Sequence, residues 1–405
     1  MNRPVNKLLS TVCIVFGFVV VVSSALAQQA VTPFDQELPE QKVTAVVPPA
    51  GNGIIGLYRV WLPAGYNDKA NAKRTYPALL VDNATGQSHK RFKEIGAWVK
   101  RNRWICIMPT DVKNGDFKEF DRQYSVIFPD IKNRFRMTPH CGIMTGCSGG
   151  SRRAAGFGSK HQDVFGGIIN NAAVHASHAV KPYKDKNMMV MVLSGVGDYN
   201  IGEIRETANH LSLDRCQVRL FDGGHQWGPV AMQEEAMDWM AAGLLTRFGQ
   251  PEPARDLLNL IKVDLKRSKS QIQRYLLMTR FVALAQSQRA FKKDKELKAV
   301  TSEYASKLKE LSKKKEFKTE FSAMVALQII RDQYVQNIGN SLDWAKSSLV
   351  PEKTYAQKVV RTTGAARQQA LTALQQLADK YPETEAAKKS RVDVKTLKAI
   401  PQHWR

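Results

Sequence analysis

Three short pieces of this chain hold the residue types needed to activate a serine. They are Gly146-Cys147-Ser148-Gly149-Gly150, then Gly197-Asp198-Tyr199-Asn200, then Gly223-Gly224-His225-Gln226-Trp227. A serine hydroxyl is a weak nucleophile until an imidazole takes its proton. A carboxylate that holds the imidazole in the right tautomer completes the set. Ser148, His225 and Asp198 are therefore the candidate nucleophile, general base and orienting acid, and the chemistry they suit is acyl transfer. Asp222 competes with Asp198 by its nearness to His225, although its place on the same short loop suits a turn better. The tetrahedral intermediate of such a reaction needs two N–H donors for its oxyanion. Gly149, next after the serine, is expected to give one. Ala84 or Thr85, in the loop after an apolar run at 78–81, is expected to give the other.

Positioning these groups requires a sheet whose strands end together. Residues 28–250 alternate between strand-like and helix-like segments. Strands are expected at 57–62, 78–81, 104–108, 140–145, 167–170, 188–193 and 218–221. Helices are expected at 92–101, 150–158, 201–211 and 230–245, with a broken helical stretch at 123–135. Such alternation implies a mostly parallel sheet covered on both faces. The unbroken apolar run at 188–193 fits a strand buried on both sides. Ser148 falls on the turn from a strand into a helix, where Gly146 and Gly150 let the two approach. Asp198 and His225 each follow a predicted strand, which puts them at the carboxyl edge where α/β active sites collect.

The character changes near Gly249-Gln250-Pro251-Glu252-Pro253, where two prolines are expected to close the last α/β helix and begin a linker. Beyond it glycine nearly vanishes and apolar residues recur at helical spacing. Residues 251–405 are expected to form an all-helical unit with its own core. The stretch 377–387 resembles the join between tetratricopeptide-type helices, without a clear repeat period. This part carries 31 basic and 16 acidic residues, against 29 and 21 in residues 1–250. The excess could serve an anionic polymer or a protein partner, or be a solvated face of lysine-rich helices, and no specific nucleic acid is expected. At the other end, Arg3 and Lys7, an apolar run at 8–22 and Ala25-Leu26-Ala27 read as an export signal over residues 1–27. The run is short for a membrane anchor, so a periplasmic or extracellular protein is expected. Four cysteines remain after the signal: Cys106, Cys141, Cys147 and Cys216. Their pairing is left open by the sequence. A bond between Cys147, beside the nucleophile, and Cys216, near the start of a strand, is not expected. No spacing suits a metal, and neither a metal nor a cofactor is expected.

Residues 42–248 resemble the secreted α/β-hydrolase esterases related to polyhydroxybutyrate depolymerase, acetylxylan esterase and feruloyl esterase. The resemblance is carried by Tyr58-Arg59-Val60-Trp61-Leu62-Pro63-Ala64-Gly65-Tyr66, by Tyr76-Pro77-Ala78-Leu79-Leu80-Val81, by the Ser148 turn and by the segment 223–227. It implies an α/β-hydrolase fold with Ser148, Asp198 and His225 in the family's catalytic roles. Gly146-Cys147-Ser148 is also similar to tannases, which bond a Cys beside the Ser to a Cys beside the His. Here Gln226 follows His225 and no Cys flanks it. The reading is an exported serine carboxylesterase for small or carbohydrate-linked esters. A serine peptidase of the same fold, or a non-catalytic scaffold with a hydrolase-like body, are its alternatives.

Overall fold

The computed structural model describes residues 40–46, 56–110, 112–114, 117–174, 188–195, 198, 200, 203, 215–341 and 360–399. The export signal expected at 1–27 lies outside them, as does the helix expected at 201–211 apart from Glu203. No described helix is long and apolar enough to cross a membrane.

Among the described residues, eight strands form one sheet: β1 (Glu40–Val46), β2 (Gly56–Trp61), β3 (Ala78–Asn83), β4 (Ile105–Pro109), β5 (Gly142–Cys147), β6 (Phe165–Asn171), β7 (Met189–Gly195) and β8 (Cys216–Phe221). Their spatial order is β1-β2-β4-β3-β5-β6-β7-β8. β2 runs antiparallel to both of its neighbours and every other pairing is parallel. This is the α/β-hydrolase topology. Ile105, Ile107, Met144, Val190 and Val192 are buried because helices cover both faces. β5 starts two residues later than the 140–145 reading, since residues 138–141 form a turn. In it Cys141 donates to the Thr138 carbonyl at 3.2 Å and His140 takes a φ of 58°.

Among the described residues, four helices belong to the sheet: α1 (Phe92–Asn102), α2 (Phe117–Arg134), α3 (Gly149–Lys160) and α4 (Val230–Phe248). α2 is continuous through Pro129 rather than broken. An interior proline costs about 3 kcal/mol. Tyr124, Ile127, Phe128 and Ile131 on the same helix are all buried, and each contributes roughly 1.5–3 kcal/mol. The apolar face therefore outweighs the missing hydrogen bond.

Among the described residues, six further helices follow: α5 (Pro251–Arg267), α6 (Gln271–Ser287), α7 (Lys295–Leu311), α8 (Lys315–Ser341), α9 (Gly364–Lys380) and α10 (Glu385–Ala399). Pro251 and Pro253 open α5 instead of starting a linker. α4 ends on Gly249 with a φ of 60°, and Pro251 enters the first turn of the next helix, where its missing N–H was unpaired anyway. α9 and α10 form a hairpin in which the Ser390 hydroxyl donates to the Leu374 carbonyl at 2.6 Å.

The core beyond residue 251 is not separate. One buried cluster joins Ile143, Met191 and Leu193 of the sheet, Trp98 of α1 and Met240 and Leu244 of α4 to Leu258 and Ile261 of α5 and Phe281 and Leu284 of α6. A second joins Ile168, Val190, Val192 and Val218 of the other face to Ile272, Leu276, Met324, Leu327 and Leu374. Polar links cross the same boundary. Gln288 Nε2 donates to the Leu245 carbonyl at 2.8 Å, and Arg74 pairs with Asp256. Composition changes at residue 250; the hydrophobic core continues through it.

Candidate active site

The register of the sheet sets the stage. β3 pairs with β5 so that Asp82 lies opposite Gly146 and Asn83 opposite Cys147. The loop holding Ala84 and Thr85 thus leaves the sheet beside Ser148. β5 turns directly into α3 at Ser148, whose φ of 56° and ψ of −121° lie where L-residues are strained. The turn is tight enough to explain both flanking glycines. A Cβ on Gly146 would fall 2.3 Å from the Gly150 carbonyl, and one on Gly150 would fall 2.8 Å from the Asp82 carbonyl oxygen.

Ser148 and His225, far apart in sequence, meet here: Ser148 Oγ lies 2.8 Å from His225 Nε2. His225 Nδ1 lies 3.0 Å from Asp198 Oδ1. An ionised carboxylate only accepts, so Nδ1–H donates to Asp198 and leaves Nε2 to accept the Ser148 proton. Asp198 sits in the loop after β7, fully buried. Its Oδ1 also accepts from the Asn200 backbone N–H at 2.8 Å, while Oδ2 is buried without a partner among the described residues. Burial pushes the Asp198 carboxyl above its ordinary range, against the pull of the His225 and Asn200 hydrogen bonds. Ser148 and His225 are partly exposed and open to a substrate.

Several residues with no motif of their own hold this arrangement. Buried Asn171, at the end of β6, accepts from Ser148 N through its carbonyl at 3.0 Å. Its Nδ2 donates to the Gly146 carbonyl at 3.1 Å, and its Oδ1 accepts from Gly228 N at 3.1 Å. One side chain thereby ties the serine turn to the histidine loop. Trp227, two residues after His225, lies under the Arg91 guanidinium at 4.5 Å, a contact worth about 0.5–2 kcal/mol. On the other side of the serine, Arg153 of α3 makes a two-pronged pair with Asp82, Nε to Oδ2 at 2.8 Å and Nη2 to Oδ1 at 2.9 Å. Both groups are buried. Burial pushes the Asp82 carboxyl up, and Arg153 and Tyr124 pull it back. Arg153 Nη2 also donates to the Asn83 carbonyl at 3.1 Å, so the arginine reaches the start of the 84–85 loop.

The four cysteines among the described residues, Cys106, Cys141, Cys147 and Cys216, are buried free thiols. Cys147 is three strands from β8, because it aligns with Asn171, Leu193 and Arg219 in turn. Three strand spacings are about 14 Å, beyond disulfide reach. Burial, then the Asp198 charge, pushes the Cys147 thiol up to about 12. Almost no thiolate then exists at neutral pH to react. Any turnover that depends on Ser148 should therefore survive both dithiothreitol and iodoacetamide. A loss of more than half the rate in reductant would mean that a disulfide supports the site after all.

No family model matches the chain and no curated protein is similar to it in sequence. Among solved structures, a ferulic acid esterase is 18% identical, with a TM-score of 0.40 over 51% of this chain and 100% of that one. An S-formylglutathione hydrolase from Staphylococcus aureus is 15% identical, with a TM-score of 0.39 over 49% and 98%. The feruloyl esterase module from Clostridium thermocellum, complexed with sinapinate, is 13% identical, with a TM-score of 0.40 over 50% and 89%.

Proposed function

We propose that this chain is an exported serine hydrolase of the carboxylesterase kind, cleaving small or carbohydrate-linked esters through an acyl-enzyme on Ser148. The observation that carries the reading is the unbroken line from Ser148 Oγ to His225 Nε2 at 2.8 Å and from His225 Nδ1 to Asp198 at 3.0 Å. Ser148 Oγ adds to the ester carbonyl carbon as its proton passes to His225 Nε2, and the carbonyl electron pair moves onto oxygen. Asp198 stabilises the imidazolium without taking the proton. The tetrahedral adduct then collapses, its carbon–oxygen bond to the alcohol breaks, and His225 returns the proton to that alcohol. Water repeats the sequence on the acyl-enzyme and frees the acid. Gly149 N–H, in the first turn of α3, has no partner within the helix and would face the oxyanion. Ala84 or Thr85 would supply the second backbone donor. An anionic partner of the basic half would meet the exposed Lys298, Lys309, Lys313 and Lys314 on and after α7.

A panel of acetyl, butyryl and feruloyl esters and peptide anilides, run beside fluorophosphonate labelling, tests the reading. Ester turnover with labelling at Ser148 supports it. Faster cleavage of anilides than esters would favour the peptidase, and neither turnover nor labelling would favour the scaffold.

Asp198→Asn should separate activity from stability. Loss of the tautomer-holding carboxylate is expected to cut kcat by about 10⁴-fold. Its raised folded pKa means that the native state binds a proton more tightly than the unfolded chain does. Ionised Asp198 therefore costs stability at neutral pH, and that cost fades as pH falls through the folded pKa. The variant should melt at or above the wild-type temperature at pH 7, with the gap closing on acidification. A lower melting temperature at pH 7 would show that the buried charge is net stabilising.

A further inference from the structure

Asn200 and Glu203 tie the region of Asp198 to two other parts of the site. Asn200 N donates to Asp198 Oδ1 at 2.8 Å, and its Nδ2 donates to the Ala172 carbonyl at 3.1 Å. Glu203 N donates to the Asn200 carbonyl at 2.8 Å. The Glu203 carboxylate then divides its two oxygens between separate elements. Oε2 accepts from Val174 N at 2.9 Å, while Oε1 accepts from Arg152 Nη2 in an ion pair. Arg152 lies in the first turn of α3, where its N donates to the Ser148 carbonyl at 3.2 Å. One carboxylate thus joins the Asp198 region to the helix that starts at the nucleophile and to the residues that follow β6.

Both attachment points are fixed. After β6, Ala172 is held at a φ of 57°, and its N donates to the Leu193 carbonyl at 3.0 Å. An alanine keeps that conformation only where its surroundings over-determine it. In α3, buried Ser151 donates from Oγ to the Gly146 carbonyl at 3.1 Å. The ion pair itself is shielded, with the Arg152 and Glu203 side chains 28% and 13% exposed, so water screens it less than a surface pair. Burial pushes the Glu203 carboxyl up, and the Arg152 charge and hydrogen bond pull it back. For Asp198 burial again pushes up, and the Arg152 charge pulls down after His225 and Asn200. Arg152 therefore favours the ionised form of both carboxylates.

We propose that Glu203 and Arg152 are positioning residues, which clamp the Asp198 region to the helix of the nucleophile and so hold the line from Asp198 through His225 to Ser148 in reacting geometry. The proposal rests on the serine hydrolase reading of Ser148. The pair acts through Asp198 rather than on the ester. A misplacement of about 1 Å at a reacting group costs on the order of 10²-fold in rate, so a clamp outside the triad can still govern turnover.

The test uses the full chain with Glu203→Gln, Arg152→Met and Arg152→Lys, assayed on p-nitrophenyl acetate. Glu203→Gln keeps the size of the side chain but has one acceptor oxygen, which cannot serve both Val174 and Arg152. Glu203→Gln and Arg152→Met should each lose about 10–10²-fold in kcat, with KM changed less than about threefold. Arg152→Lys should recover most of the loss, since an ammonium can still donate to Oε1. Thermal melts check that each variant folds, and Arg152→Met alone gives the reading if Glu203→Gln does not melt cooperatively. The decisive comparison adds each change to Asp198→Asn. If the pair acts through Asp198, residual kcat should then change by less than about twofold, because the residues work as a unit. Wild-type kcat in a folded Glu203→Gln or Arg152→Met variant would overturn the proposal. A loss confined to KM would overturn it, and so would a full further loss in the Asp198→Asn background. Ser148→Ala separates the two levels. If it stays active, the hydrolase reading falls and this inference with it. If it is inert while the Glu203 and Arg152 variants turn over normally, only the clamp falls.

Discussion

Ser148→Ala should lower kcat on p-nitrophenyl acetate by about 10⁶-fold, leaving only what oxyanion donors and binding supply. Fluorophosphonate labelling should vanish with it. The fold has no reason to fail, because Ser148 Oγ contacts the partly exposed His225 at the edge of the sheet rather than the core. The backbone adds a sharper expectation. Ser148 sits at a φ of 56°, where alanine is as strained as serine and glycine is not. Ser148→Gly should therefore be equally inert but more stable than Ser148→Ala, by roughly 1–2 kcal/mol of relieved strain. Turnover within tenfold of wild type in either variant would remove Ser148 from the chemistry. Equal melting temperatures for the two would mean that the turn is unstrained in solution.

The serine turn was legible because its chemistry is local. A strand, a tight turn and a helix must follow one another in the chain, and Gly146 and Gly150 are demanded by contacts within that short piece and its neighbouring strand. Asp198 and His225 were legible for a related reason: parallel strands deliver the residues that follow them to one edge. The supporting shell was not legible. Arg153 lies in a segment that reads only as a helix of small residues, and its partner Asp82 is 71 positions away. Asn171 closes a strand of unremarkable sequence, yet bonds both the serine turn and the histidine loop. Burying such groups requires partners from elsewhere in the fold, and pairings of that range leave no periodicity to read. Pro251 and Pro253 mislead for the opposite reason. Prolines end helices and also begin them, and only the short link through Gly249 and Gln250 distinguishes the two here.

A chain ending at residue 250 should not fold into a soluble, active hydrolase, although every member of the proposed triad would still be present. Glycine loss and charge excess suggest an independent unit beyond that point, but α5 and α6 share the core under the sheet. Without them, Trp98, Met240, Leu244 and Leu245 lose partners such as Leu258, Ile261, Phe281 and Leu284. On the opposite face, Val190, Val192 and Val218 lose Leu276, Met324 and Leu327. Exposing even five side chains of this size costs roughly 8–15 kcal/mol. That equals the whole stability of a typical domain, about 5–15 kcal/mol. The last carbonyls of α4 would also lose the Gln288 amide, and Arg74 would lose Asp256. Stepwise shortening should therefore show two effects. Ending after α8 removes α9 and α10, which touch the second cluster only, and should lower the melting temperature while sparing some ester turnover. Ending before α5 should leave aggregated chain with no turnover and no cooperative melt. A residue 28–250 chain that is soluble, melts cooperatively and hydrolyses p-nitrophenyl acetate would show that the sheet closes its own core, and that the helices beyond residue 250 are kept for a partner rather than for the fold.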